Sequence, residues 1–347
     1  MTPRELGYHF PAEWEKHEAT WLTFPYLDDS FPGKLQEVYP YYFEFIRHIS
    51  HSELVKINIP NHEQLPIFHG LMEKYHVDPS RVIPFLNPSN DVWCRDHGPS
   101  FVVNKEKKEK AIVNWGFNAW GGKYPAEDDN RIPERVAKHY NLKLFEPSVI
   151  MEGGSVEFNG AGTILTSRAC LLNKNRNPQL NQIQIEKILC DYYGQQQVLW
   201  VGDGIAGDDT DGHIDDITRF INESTVVTVV EENKNDVNYQ ILQENLSELK
   251  NMRLLNGQPL NIIELPMPEP VYHENRRLPA SYANFYYTNQ AVIVPIFGCD
   301  QDDKALNILS MYIQDRDVIG IYSRDIVWGL GSFHCLSQQE PALKDTK

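Results

Sequence analysis

An α/β fold in one domain is what the sequence predicts, on three observations: short β-branched runs recur along the whole length, helical periodicities fall between them, and no Gly/Ser-rich linker divides the 347 residues. In chain order, Leu35, Val38, Tyr39, Tyr42, Ile46 and Ile49 repeat at three and four residues, a helix, and residues 54–59 follow as a strand. Phe101-Val102-Val103 and Ala111-Ile112-Val113 flank the charged run 105–110, the pattern of a hairpin with an exposed turn, and residues 111–115 read as its second strand. Ile185, Ile188, Leu189 and Tyr192 mark a helix stopped at Gly194, before a strand at 197–201. Strands at 226–230 and 262–265 bracket a helix carrying Tyr239, Leu242, Leu246 and Leu249. Strands at 291–296 and 318–322 bracket another, with Asp302 as its expected cap and Ala305, Ile308, Leu309 and Tyr312 on its apolar face. No strict sequence repeat is visible.

With 48 acidic against 32 basic residues, the formal charge is −16. Nonspecific nucleic-acid binding needs clustered Lys and Arg, so that class is excluded and a cationic ligand suits the sign better. No apolar run approaches the roughly 18 residues that span a bilayer, and the first eleven residues lack a signal-peptide layout, so a soluble, cytoplasmic protein with no membrane partner is expected. Cys94, Cys170, Cys190, Cys299 and Cys335 are odd in number and include no C-x-x-C pair. That argues against a disulfide scaffold or zinc ribbon and makes a single catalytic thiol worth seeking.

Polar chemistry concentrates in three places. The run Gly207-Asp208-Asp209-Thr210-Asp211-Gly212-His213-Ile214-Asp215-Asp216 holds five carboxylates and a histidine, which repel one another unless a cation lies among them. A calcium loop fails on spacing, since Gly207 and Thr218 would occupy its first and twelfth positions. A metal hydrolase stays open, because His213 and Asp215 would share a side in an extended segment; a solvated acidic turn is the plainer alternative. In Asn90-Asp91-Val92-Trp93-Cys94-Arg95-Asp96-His97, Trp93 offers a flat face and Asp96 an acceptor carboxylate, a pairing suited to a planar cation, while an Arg95–Asp96 ion pair is the plainer reading and Cys94 reads as a packed core thiol. In Trp328-Gly329-Leu330-Gly331-Ser332-Phe333-His334-Cys335, two glycines let backbone approach a ligand ahead of Cys335. Neighbouring side chains of an extended chain point apart, so His334 is a weak base for Cys335 and His213 the better one. Glu152, before Gly153-Gly154, is a candidate binding carboxylate at a strand end.

Together the segments 91–99, 115–122, 152–155, 171–178, 208–215, 280–286 and 331–339 resemble the agmatine deiminase family, related to bacterial peptidylarginine deiminases, over nearly the whole chain. The resemblance implies a five-bladed α/β propeller, the pentein fold, with a central active site in one catalytic domain over 1–347. It also implies Cys335 as nucleophile, His213 as acid/base, and Asp96 and Asp215 as the carboxylates gripping a guanidinium. The family's usual glycine, asparagine and isoleucine are replaced by Leu330, Ser332 and Phe333, which bears on the substrate's tail, and its usual methionine by Cys94.

The chemistry follows from those groups. A guanidinium carbon is a poor electrophile because three nitrogens share its charge; two carboxylates hold the plane still, with charge-assisted contacts of ~1.5–3 kcal/mol each. Cys335 attacks as thiolate, which either His213 or the substrate's charge must favour. His213 then protonates the departing ammonia and later activates water against a thiouronium adduct. The scheme uses no metal or organic cofactor. Agmatine, the small cationic guanidine expected as partner, has a second charge that Asp209 and Glu152 would help to hold, with Trp93 beside the guanidinium. Deimination of arginine in peptides, a metal-dependent hydrolase built on the Asp/His run, and an inactive binder of polyamine-like cations are the alternatives. A homodimer is suggested by the family resemblance alone.

Overall fold

Residues 1–343 are described by the computed structural model; residues 344–347, the end of the domain expected over 1–347, lie outside the described residues. Five sheets repeat one chain path: a leading strand, an antiparallel return, a crossover through a helix, and a third strand parallel to the second. In the first, Ser100–Asn104 pairs with Glu109–Val113, and the helix Ile132–Tyr140 crosses to Lys143–Phe145. In the second, Val156–Phe158 and Thr163–Ser167 are followed by Gln182–Tyr193 and then Gln197–Val201. Thr218–Asn222, Thr225–Val230, helix Asn238–Asn251 and Asn261–Pro266 make the third. Tyr286–Tyr287, Ala291–Ile296, helix Gln301–Tyr312 and Asp317–Tyr322 make the fourth.

The fifth sheet joins the two ends of the chain. Its leading strand, Ser337–Pro341, runs antiparallel to His17–Thr23, and the helix Leu35–Ser50 crosses to Leu54–Ile59; a second helix, Gln64–Lys74, adds Val82–Leu86. The α/β class holds, and the chain path repeats five times although no repeat is visible in the residues. No closed barrel is formed among the described residues, and none of their helices is long and apolar enough to cross a membrane.

Local sequence explains these elements. Leu35–Ser50 buries Val38, Tyr39, Tyr42, Phe43, Phe45, Ile46 and Ile49 along one side. Gln182–Tyr193 opens with a capping box between Asn181 and Gln184 and stops at Gly194, whose φ of 65° suits glycine. The expected cap at Asp302 is corrected: the helix starts at Gln301, and the Asp302 carboxylate turns back to accept from the backbone N–H groups of Phe297, Gly298 and Cys299 and from the Tyr282 hydroxyl.

Leading strands carry buried polar groups where the others carry aliphatic ones. Glu157, Arg219, Gln338 and Gln339 are all buried. They meet Glu13 of the N-terminal segment in a knot of charges: Arg219 Nε donates to Glu157 (2.8 Å) and its Nη2 lies 3.1 Å from Glu13, while Arg95 donates to Gln339 (2.7 Å) and Glu13 (3.3 Å). Burying such charges is tolerable only because each is paired and hydrogen-bonded.

Candidate active site

Each leading strand is entered through a short turn, and the side chains singled out in the sequence sit on these turns. Asp96 lies on Cys94–His97, four residues before Ser100. Glu152 precedes the turn Gly153–Ser155, which enters Val156. His213 precedes Ile214–Asp216, which carries Asp215 and enters Thr218. Cys335 lies on Phe333–Leu336, two residues before Ser337. The fifth such approach supplies Asn284, two residues before Tyr286. The turn bearing Asp96 packs on those bearing Cys335 and Gly154, and the last packs on the turn bearing Asp215.

Convergence is tightest at Gly154, where a Cβ would lie 2.6 Å from His213 Nδ1 and 3.0 Å from both Asp215 Oδ2 and Asp96 Oδ1. Asp96 is held by two donors, Gly154 N on Oδ1 and Trp120 Nε1 on Oδ2, both at 2.9 Å. Trp120 reaches it from a turn in which Ala119 and Trp120 both have positive φ, 50° and 54°, a conformation costing each about 1–2 kcal/mol. Asp215 Oδ2 is bonded to His334 Nδ1 (2.6 Å) and lies 3.6 Å from Cys335 Sγ; its Oδ1 has no hydrogen-bond partner. Asn284 donates to Cys335 Sγ (3.0 Å) and to Asp216 (2.9 Å), while its Oδ1 accepts from the backbone of His334 and Cys335.

Several readings change here. Arg95 does not pair with Asp96; the helical turn sends it to Glu13 and Gln339 instead. The segment 333–336 is helical rather than extended, so His334 is kept from Cys335 by its own bonds to Asp215 and Glu13 (2.7 Å). Gly331 serves the packing of Trp93, since a Cβ there would lie 2.4 Å from the ring, and Gly329 similarly meets Phe31. The acidic run is consumed by the protein itself. Asp208 accepts from the backbone of Thr210, Gly212 and His213, and Asp211 pairs with Arg176 and Lys123. Asp209 accepts from Tyr124 and lies 3.5 Å from Arg276. Asp208, Asp209 and Asp211 are thus engaged by donors of the protein itself.

Charge sets the protonation states. Burial, then Asp215, Asp216 and Asp96, push the Cys335 thiol well above its usual range. Burial also raises Asp96, with Asp215 and Glu152 adding to it. His213 is raised well above an ordinary histidine because Asp96, Cys170 and Glu152 outweigh its burial. Its nearest carboxylate oxygens, Asp96 Oδ1 and Glu152 Oε2, are each 3.8 Å away, too far for a hydrogen bond. Against the cost of burial, His334 and His213 hold Asp215 below the usual carboxylate range.

A cavity of about 440 Å³ reaches Asp96, Trp93 and Cys335 from the surface. Its wall carries Asp29, Asp91 and Asp209 with Arg276 as its arginine, an acidic balance. Asp209 sits at this wall. Glu152 does not: fully buried behind His213, it is bound by Arg176 Nε (2.7 Å). Of the three departures near Cys335, only Leu330 lines the cavity, at a φ of 75°; Ser332 bonds Ser323 and Phe333 packs on Phe45. Asn284, Trp120 and Glu13 escaped the sequence reading, and His334 was weighed only as a base for Cys335, not as the partner of Asp215 and Glu13. The first two stood inside segments already picked out, 280–286 and 115–122, but lacked any titratable side chain to draw attention.

A profile of the Porphyromonas-type peptidyl-arginine deiminases matches residues 9–341. A Legionella pneumophila protein provisionally named an agmatine deiminase is 35% identical over 98% of this chain and 96% of its own. The solved agmatine deiminase of Enterococcus faecalis is 30% identical, with a TM-score of 0.93 over 99% of this chain and 98% of that one. A Cys→Ser variant of the C. jejuni agmatine deiminase, solved with substrate bound, is 34% identical with a TM-score of 0.87 over 96% of each chain.

Proposed function

The chain belongs to the Porphyromonas-type peptidyl-arginine deiminase family, and from that premise we propose that it is an agmatine deiminase, converting agmatine and water to N-carbamoylputrescine and ammonia. The observation carrying the proposal is the meeting of His213, Asp96 and Asp215 around Gly154, with Cys335 3.6 Å from Asp215 and, like Asp96, on the wall of an acidic cavity. Asp96, fixed by Gly154 and Trp120, and Asp215, with Oδ1 unpartnered, accept the guanidinium N–H groups, and Trp93 covers the cavity beside them.

In the free protein burial, then Asp215, Asp216 and Asp96, keep Cys335 protonated; the positive charge of an arriving guanidinium offsets part of this and favours the thiolate. Sulfur attacks the guanidinium carbon and forms an S–C bond. The C–N bond then breaks with a proton passing from His213 to the departing ammonia, which leaves a thiouronium on Cys335. Water, losing one proton to His213, attacks the same carbon, and cleavage of the S–C bond, with the remaining hydroxyl proton passing to solvent, frees the ureido product and the thiolate. Glu152, held by Arg176, keeps His213 charged from behind rather than touching the substrate.

The five repeated sheets support reading the fold as a five-bladed propeller forming one catalytic domain. A cytoplasmic location, expected from the sequence, and a homodimer, expected from the family likeness, belong with this proposal. The test is ammonia release from agmatine beside a blocked arginine peptide. Cys335→Ala is expected to reduce release to background while the protein stays folded by circular dichroism. Undiminished turnover of that variant, or a preference for the peptide, would overturn the assignment.

A further inference from the structure

We propose that Glu152, Cys170 and His213 form an inhibitory binding site for a zinc-class divalent cation. The three come from different segments: Glu152 from the approach to Gly153–Ser155, Cys170 from the helical turn Arg168–Leu171, and His213 from the approach to Ile214–Asp216. All are buried, and one ligand atom from each lies within 4.8 Å of the other two. Thiolate, imidazole and carboxylate are the donors that zinc accepts in four-coordinate sites, whereas calcium and magnesium require oxygen throughout.

Spacing favours an ion over a hydrogen-bonded cluster. Cys170 Sγ and His213 Nε2 are each 3.8 Å from Glu152 Oε2. For nitrogen and oxygen that is beyond hydrogen-bond reach, and for the thiol it is a long hydrogen bond, yet it is close to the ligand-to-ligand edge of a tetrahedral zinc site, about 3.3–3.8 Å for bonds of 2.0–2.3 Å. Both ring nitrogens of His213 are buried without a hydrogen-bond partner, and Nε2 faces this trio. Such orphaned polar atoms are rare in folded proteins.

The surroundings complete the argument. Arg176 Nε binds Glu152 Oε1 at 2.7 Å, fixing the carboxylate from outside, while Oε2 turns to the Cys170 thiol, whose proton an ion would replace. Asp96 Oδ1 faces the other ring nitrogen of His213 at 3.8 Å, where a ligating histidine normally has a carboxylate acceptor. Exchanging the protons of an imidazolium and a thiol for one divalent ion leaves the charge of the buried cluster unchanged. A second cluster, Asp215, Asp216 and Cys335, has similar spacing but no histidine; zinc prefers the set with nitrogen and sulfur. Once on Nε2, the ion holds His213 deprotonated and takes away the proton that the departing ammonia needs.

Cobalt(II) chloride, read by thiolate-to-cobalt charge transfer in the near ultraviolet, tests the site on the full chain. Cys335→Ser removes the competing thiol, and that protein is expected to bind one cobalt with the charge-transfer band and to lose the band to one equivalent of zinc. Adding Cys170→Ala should abolish the band. Adding His213→Gln instead, which keeps the thiol should Cys170→Ala fail to fold, should weaken binding at least tenfold. A missing band in Cys335→Ser, a band surviving Cys170→Ala, or unchanged affinity with His213→Gln would overturn the site. Zinc at the same concentrations should stop ammonia release by the unmodified protein; full turnover when zinc is bound would overturn its inhibitory character. The cobalt measurements do not depend on the proposed reaction, so failure of agmatine as substrate and failure of the metal site are told apart.

Discussion

At Gly154 a single methyl group would collide with the imidazole and both carboxylates that define the site. Relief requires displacing those side chains or the turn itself, which overpacking data put at about 1–3 kcal/mol of stability. Catalysis should suffer far more than folding, because reacting groups misplaced by about 1 Å lose on the order of 100-fold. Gly154→Ala is therefore expected to lower kcat/KM for agmatine at least about 100-fold with only a modest fall in Tm; a variant with ordinary activity would show that the three groups need not converge. Protonation imposes a second constraint at this scale. Asp96 is raised by burial, so as pH falls through that raised value it loses the charge that holds the guanidinium. His213 is raised well above 6.5, so as pH rises through its value it loses the proton for ammonia. The pH profile of kcat/KM should be a bell, with its acid limb above the ordinary aspartate range and its alkaline limb above 6.5. Steady-state rates across pH 4 to 10 check this, and an alkaline limb below 6.5 would remove His213 as the acid.

Among the elements, those that carry the site position it through carboxylates whose charge is costly. Asp129, on the turn Asp129–Arg131, accepts from the backbone of Asn90 (2.7 Å) and Asp91 (3.1 Å), the segment leading into Trp93 and Asp96. Burial raises it to about 7, and Asp128 adds to this. A raised carboxylate contributes stability while protonated in the fold: the contribution is full below the ordinary aspartate value and disappears as pH rises through about 7. Unfolding free energy should fall over pH 5 to 7.5 by up to about 1.4 kcal/mol per pH unit for this group, and Asp129→Asn should remove that share of the slope. Urea titrations at several pH values measure it; an identical slope in the variant would contradict the assignment. The same chemistry governs what was legible in the sequence. Second strands such as 226–230 and 291–296 are buried aliphatic runs and are legible directly. Leading strands Val156–Phe158, Thr218–Asn222 and Ser337–Pro341 escaped notice because Glu157, Arg219, Gln338, Gln339 and Glu340 are polar yet buried, and their residues look like loop. Motifs exposed Cys335, His213, Asp96 and Asp215, whereas Asn284 and Glu13 act through partners distant in the chain, which local pattern cannot reveal.

Closure of the whole molecule depends on its last described strand, which begins two residues after Cys335 and pairs with His17–Thr23. Glu340 on that strand ties two sheets together: Oε2 accepts from Lys56 (2.7 Å) and Trp21 (2.8 Å) within the closing sheet, and Oε1 from Lys110 (2.7 Å) in the sheet led by Ser100–Asn104. Lys56 and Lys110 are nearly buried at their side chains, 5% and 8% exposed, so neither can turn to water without disturbing its sheet. Removing the charge of Glu340 leaves Lys56 without its carboxylate, while Lys110 keeps Glu18 at 2.7 Å; breaking the buried Lys56 pair costs about 3–5 kcal/mol by analogy with other broken buried pairs. Lys110 and Lys56 hold the Glu340 carboxyl below 4.5 against its burial. A depressed carboxylate stabilises fully above its unfolded value and loses that contribution as pH falls through its folded value. Glu340→Gln should accordingly lower the urea midpoint strongly at pH 7, and the gap to the unmodified protein should narrow as pH drops below about 4. Glu340 does not line the cavity that reaches Cys335, so turnover per folded molecule should be unchanged in the absence of urea. A variant whose kcat falls while its urea midpoint holds would place Glu340 in the catalytic machinery instead of in the closure that delivers Cys335 to it.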